Sequence, residues 1–170
     1  MTAPSPSGSA DSAAGFASRR HRILIVDDEV DIRETLRDLF QAYLPQVDVT
    51  LAGSGAEATQ TLARQSFDLI LTDYKMPGMT GLELLRESRR MAPTMPRIMM
   101  TAFPDLELAI RAVNDGKIET FLTKPIEREP MLDAIRTVLS ERLSREQKEQ
   151  AFARAMNTMR RGVPRAPSGG

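Results

Sequence analysis

Apolar positions along the chain follow two alternating rhythms. Short runs at Ile23–Val26, Val47–Leu51, Asp68–Thr72, Arg97–Thr101 and Ile118–Leu122 read as buried strands. Between them the spacing becomes helical. Ile32, Leu36, Leu39, Phe40 and Tyr43 form one stripe, Leu106, Ala109, Ile110 and Val113 another, and Leu132, Ile135, Leu139 and Leu143 a third. Two further helices are expected at about 55–65 and 81–91. Strands and helices that alternate in this way imply an α/β fold, a doubly wound parallel sheet with helices on both faces. Right-handed crossovers follow from the connection rule.

In such sheets, sites form outside the carboxyl ends of the strands. Polar residues gather at those ends here. Asp27 and Asp28 follow the first strand, and Asp73 follows the third, just before the turn Lys75-Met76-Pro77-Gly78. Thr101 closes the fourth strand, and Lys124 lies just past the fifth. Carboxylates brought together repel one another unless a cation sits among them. Oxygen donors without His or Cys favour a hard ion such as Mg²⁺, which also binds phosphate oxygens. Lys124 adds a compact positive charge and Thr101 a hydroxyl, a set suited to phosphoryl transfer onto a carboxylate. Singly, each residue has a plainer reading: a helix cap, a turn initiator, a strand threonine, a solvated lysine. Their convergence at one end of one sheet is what favours the site.

Composition narrows the class. The chain of 170 residues has no cysteine, so disulfides, thiolate metal sites and a Cys nucleophile are excluded. No apolar run approaches the ~20 residues of a membrane span. Residues 1–20, rich in Ala, Ser, Gly and Pro, read as a disordered leader and not a signal peptide, which points to the cytoplasm. Net neutrality hides an uneven distribution. Residues 21–140 carry 14 basic and 19 acidic side chains, whereas 141–170 carry 7 basic and 3 acidic. An acidic domain is a poor nucleic-acid binder.

The stretches Ile23–Glu29, Asp68–Gly81, Met99–Ala102 and Phe121–Pro125 together resemble the receiver domain of two-component response regulators. The resemblance covers residues 21 to about 140, and its joint motif set is highly specific. It implies a flavodoxin-like strand order 2-1-3-4-5, with Asp73 accepting a phosphoryl group from a histidine kinase or phosphotransfer protein. Asp28, Asp73 and the Lys75 backbone carbonyl would bind Mg²⁺, with Asp27 acting largely through water. Thr101 and Lys124 would contact the phosphoryl group, and the Lys124–Pro125 bond would be cis. Thr101 and Phe121 would form the switch, remodelling the surface of the fourth helix, fifth strand and fifth helix. A Phe at 121 lacks the hydroxyl of the Tyr often found there. Lys75 and Phe103 flank the site at positions that tune phosphoryl lifetime. Catalysis beyond phosphoryl transfer onto Asp73, and its slow reversal by water, is not expected.

The tail adds a feature the resemblance does not cover. Residues 21–143 are expected to form the domain and 144–170 a helical, then disordered, extension. Phe152, Ala155, Met156 and Met159 repeat the helical stripe after the wholly polar segment 144–150. At about 100° per residue, this second stripe faces away from the one ending at Leu143 if the helix is continuous. Either the helix runs on and offers Phe152, Met156 and Met159 to a partner or a second copy, or it breaks near 144–150. The favoured reading is a stand-alone regulator that signals by protein–protein contact to an unidentified downstream protein. It could pair with itself through the fourth helix, fifth strand and fifth helix, or through the tail. The rivals are a transcription regulator whose basic tail touches DNA, a phosphorelay shuttle, and a Mg²⁺-dependent phosphohydrolase.

Overall fold

A computed structural model describes residues 19–102, 114 and 117–161. Five parallel strands stand in the order β2-β1-β3-β4-β5. They are β1 (His21–Val26), β2 (Val47–Ala52), β3 (Leu69–Asp73), β4 (Arg97–Thr101) and β5 (Thr120–Thr123). Among the described residues the helices are α1 (Val30–Tyr43), α2 (Gly55–Arg64), α3 (Gly81–Met91) and a C-terminal helix (Arg128–Arg161). The expected doubly wound fold and strand order are therefore present. The predicted fourth helix, with Leu106, Ala109, Ile110 and Val113, lies outside the described residues.

The strand limits shift slightly from the expected ones, for local reasons. β1 begins at His21 because its N–H bonds the Gln46 carbonyl at 2.9 Å and the strand pairs with β2 from its first residue. β3 starts after Asp68 and includes Asp73, since Asp68 is engaged by Arg22 and Asp73 is in register with Met100. β5 starts at Thr120, not Ile118. Lys117 adopts φ 51°, and the Glu119 N–H must reach the Arg97 carbonyl before the ladder begins.

Alternation along the strands splits the core in two. Ile23, Ile25, Leu69, Leu71, Ile98 and Met100 meet Leu36 and Phe40 of α1 and Leu132, Ile135 and Leu139 of the C-terminal helix. Leu24, Val26, Ile70 and Met99 face Ala58 of α2 and Leu82 and Leu85 of α3. Successive side chains point to opposite faces, so each run fills both layers. Ser54 caps α2 by accepting the Glu57 N–H, and Thr80 with Glu83 forms a reciprocal capping box on α3.

The C-terminal helix runs unbroken for 34 residues through the polar segment 144–150. Of the two tail geometries open from sequence, the continuous one is observed, and no change of secondary structure marks Leu143. An ion cluster holds the helix where it leaves the domain. Arg142 Nε bonds Glu146 at 2.8 Å, and Arg142 Nη1 bonds the Phe67 carbonyl at 3.0 Å. Arg19 spans Glu146 at 2.8 Å and Asp68 at 2.9 Å.

Candidate functional site

The loops after β1, β3, β4 and β5 share the carboxyl edge of the sheet, and their polar residues converge there. Asp27 directly follows β1 with no exposed surface, and Asp73 ends β3 at 5% exposure. Lys124, in the loop after β5, places Nζ 2.7 Å from Asp73 Oδ1 and 3.1 Å from Asp27 Oδ2. The Lys124 N–H donates to the Thr101 carbonyl at 2.8 Å, tying the β4 and β5 ends together. The Lys124–Pro125 peptide is cis, as expected. Thr101 is buried at the end of β4, whereas Asp28 and Lys75 are exposed beside the cluster.

The expected group of three carboxylates is thus realised as two buried carboxylates bridged by an ammonium. Among the described residues, no set of three acidic or histidine side chains forms a ready-made metal cage. Burial pushes the Asp73 carboxyl above its ordinary range and Asp27 adds to the rise, while Lys124 and the Lys75 backbone N–H hold it down. Burial alone would lower Lys124, but its bonds to Asp73 and Asp27 raise it above the usual lysine value. The ammonium therefore stays charged, and it compensates only part of the negative charge of Asp27, Asp28 and Asp73. Oxygen-only donors with surplus negative charge are chemistry that fits Mg²⁺.

Local structure fixes the placement of each carboxylate. Asp27 Oδ1 accepts the Glu29 N–H at 2.9 Å, and Arg33 donates to the Asp27 carbonyl, so the turn into α1 is built around this residue. The helix-cap role that sequence offered as an alternative is not realised, since Glu29 is the N-cap of α1 and no side chain caps it. Beyond Asp73 the chain turns through Gly78, at φ +79°, and folds back until the Gly81 N–H bonds the Tyr74 carbonyl at 2.9 Å. A β-carbon on Gly81 would stand 2.1 Å from the Asp73 carbonyl oxygen, so only glycine fits there. The supporting roles of Gly81 and Arg33 were missed from sequence. Gly81 stands three residues after Gly78 in the turn, and that spacing was the available signal; nothing in the sequence marked Arg33.

Phe121 is half-buried against the layer formed with α2 and α3. Phe103 lies outside the described residues. Phe152, Met156 and Met159 do not join the site; all are exposed, at 69%, 45% and 67%. Among the described residues, no helix is long and apolar enough to cross a membrane.

Comparison with known proteins agrees with this geometry. The family model of the response regulator receiver domain matches residues 23–136. The response regulator protein PilR of Pseudomonas aeruginosa is 38% identical over 132 residues, which cover 78% of this chain and 28% of that protein. The transcriptional regulatory protein ZraR of Escherichia coli is 34% identical, over 62% of this chain and 23% of that protein. The chain spans about a quarter of the length of these curated relatives. Among solved structures, the signal receiver domain of an HD domain-containing protein from Pseudomonas fluorescens superposes with a TM-score of 0.70 at 32% identity, covering 76% of this chain and 93% of that one. A CheY-like receiver domain protein from Methanospirillum hungatei gives 0.70 at 29% identity, covering 74% and 98%. Fold and sequence agree, and this chain belongs to the response regulator receiver domain family of two-component systems.

Proposed function

We propose that this protein is switched by phosphorylation of Asp73. The observation that carries the reading is the bridge from Lys124 Nζ to both Asp73 and Asp27, which aims the Asp73 carboxylate at the loop face. In the transfer, an Asp73 carboxylate oxygen bonds the phosphorus. The bond from phosphorus to the donor's histidine nitrogen breaks, and its electron pair leaves with the nitrogen. Lys124 already touches the attacking carboxylate and Asp27, and gains a phosphoryl oxygen as a further partner. Thr101, at the adjoining strand end, supplies a hydroxyl toward the same oxygens.

Asp27, Asp28, Asp73 and the Lys75 carbonyl would hold Mg²⁺, which when bound adds positive charge beside the phosphoryl oxygens. Asp27 keeps a second task, since it anchors Lys124 whether or not the site is charged with phosphate. Movement of Thr101 toward the phosphoryl group draws Phe121 with it, altering the surface around β5 and the start of the C-terminal helix. The output is a protein–protein contact made in the cytoplasm, and the phosphoryl source is a histidine kinase or phosphotransfer protein.

The test is phosphorylation by acetyl phosphate with Mg²⁺, followed by intact mass and phosphate-specific gel retardation. The wild-type chain gains one phosphoryl mass, and Asp73→Asn gains none. Label on Asp73→Asn would place the acceptor elsewhere.

A further inference from the structure

The C-terminal helix carries two unmatched features on one face. Near its start, Phe121, Pro125, Ile126, Pro130 and Met131 line a cleft of about 390 Å³, with Lys124 and Glu127 also in its wall. Near its end, Phe152, Met156 and Met159 project into solvent. The apolar tip would suit such a cleft, but it cannot reach its own. At ~1.5 Å per residue, Met156 lies about 44 Å beyond Glu127 along the unbroken helix.

We infer that the C-terminal helices of two copies pair antiparallel, so that each tail covers the cleft of the other. Three observations agree on this geometry. The first is angular. At about 100° per residue, Glu127, Ala134, Glu141, Arg145, Phe152, Met156 and Met159 fall within a sector of about 60°. These seven are exposed or half-exposed in the single chain, while Val138, which falls in the same sector, is buried at 5% against the chain's own core. The second is register. A two-fold axis near Leu143 sets Phe152 against Ala134 of the second copy, Met156 against the Met131 end of its cleft, and Met159 beside its Glu127.

The third is charge. Residues 127–141 carry four acids and two bases, whereas 145–161 carry five bases and two acids. Antiparallel pairing lays the basic half on the acidic half, twice. At the axis Glu141 meets Arg145 of the second copy; within its own chain Arg145 lies close enough to Glu119 for its charge to help hold that carboxyl down. Parallel pairing would instead stack the basic ends on each other. Three side chains alone make too small a patch for a stable dimer, but a two-fold contact repeats each of them and adds the helix between. The pairing does not depend on phosphorylation. Because Lys124 and Phe121 are in the cleft wall, the second copy would rest against the same loop that holds Asp73.

The chain has no cysteine, so single thiols report the geometry cleanly. Glu127→Cys and Met159→Cys are made separately in the full chain and mixed under mild oxidation. Only the mixture should give a disulfide-linked dimer, because like positions lie far from the axis on opposite sides. Light scattering of the unaltered chain should give a dimer, and Phe152→Ala with Met159→Ala should weaken its Kd at least tenfold. Self-linking of Met159→Cys would overturn the proposal in favour of parallel tails. A monomer mass at high micromolar concentration would overturn it outright.

Discussion

The backbone of Gly81 presses against the carbonyl of Asp73 so closely that a β-carbon there would approach to 2.1 Å. The candidate phosphoacceptor is thus held from behind by the first residue of α3. Gly81→Ala must push the Asp73 carbonyl or the start of α3 aside, and a clash with backbone has little room to relax. A loss of about 2–3 kcal/mol is expected in urea unfolding. Uptake of phosphate from acetyl phosphate should slow as well. Wild-type stability in this variant would mean that the turn is softer than its contacts imply.

Lys124 separates two buried carboxylates. Lys124→Met leaves Asp27 and Asp73 facing each other without their bridging charge. Removing one partner from a buried ion pair costs about 3 kcal/mol. Asp73→Asn added to that background should recover much of the loss, because the repulsion disappears. Mg²⁺ should stabilise Lys124→Met more than it stabilises the wild type. Thermal melts of the three proteins, with and without Mg²⁺, measure both effects.

Glu119 gives a pH signature away from the site. Burial raises its carboxyl above the usual 4.5, despite the Arg97 N–H it accepts at 2.6 Å and the nearby Arg97 charge. The folded chain therefore holds this proton more tightly than the unfolded chain. Stability from this group is present below 4.5 and is lost as pH rises through the raised folded value. Glu119→Gln keeps an acceptor but cannot ionise, so the corresponding fall in stability should vanish from its pH profile. A profile parallel to wild type would exclude Glu119 as the source.

Asp68 joins the start of the described chain to the C-terminal helix. It accepts the Arg22 N–H and a bond from Arg19, both at 2.9 Å, and stands 3.5 Å from Arg142. Asp68→Ala should cost about 2 kcal/mol, since a buried acceptor shared by Arg19 and the Arg22 N–H is removed. Hydrogen exchange at residues 142–150 should quicken more than exchange in β1 or β3. Uniform quickening would show that the cluster supports the whole domain instead of the helix exit.

Most of the sheet was legible because buried parallel strands are written as short apolar runs, and every such run from Ile23 to Leu122 yielded a strand. The site was legible for a related reason: in this fold the strand ends converge, so Asp27, Asp73, Thr101 and Lys124 could be grouped from their positions alone. Contacts between residues that are distant in sequence and lack a pattern were not legible. Arg97 appeared only as the polar start of a strand. Its guanidinium is buried, with Nε on Ser88 at 3.1 Å and Nη2 on the Ala92 carbonyl at 2.6 Å. Burial lowers its pKa, against the pull of the Glu119 charge.

Sequence by itself determined the strand and helix periods, the residues at the carboxyl edge and the family to which they belong. The periods and the edge residues follow from local spacing and side-chain chemistry, and the family from the resemblance of the joined motifs. Only the tertiary structure decided that Lys124 bridges two carboxylates, that Gly81 must lack a side chain, and that the C-terminal helix passes unbroken through a polar segment. Each depends on distances across the fold. The polar segment shows the difference most plainly. Its residues have no apolar face to mark a helix, and Arg142 and Glu146 carry the helix outward through contacts with Arg19, Phe67 and Asp68 that no sequence window contains.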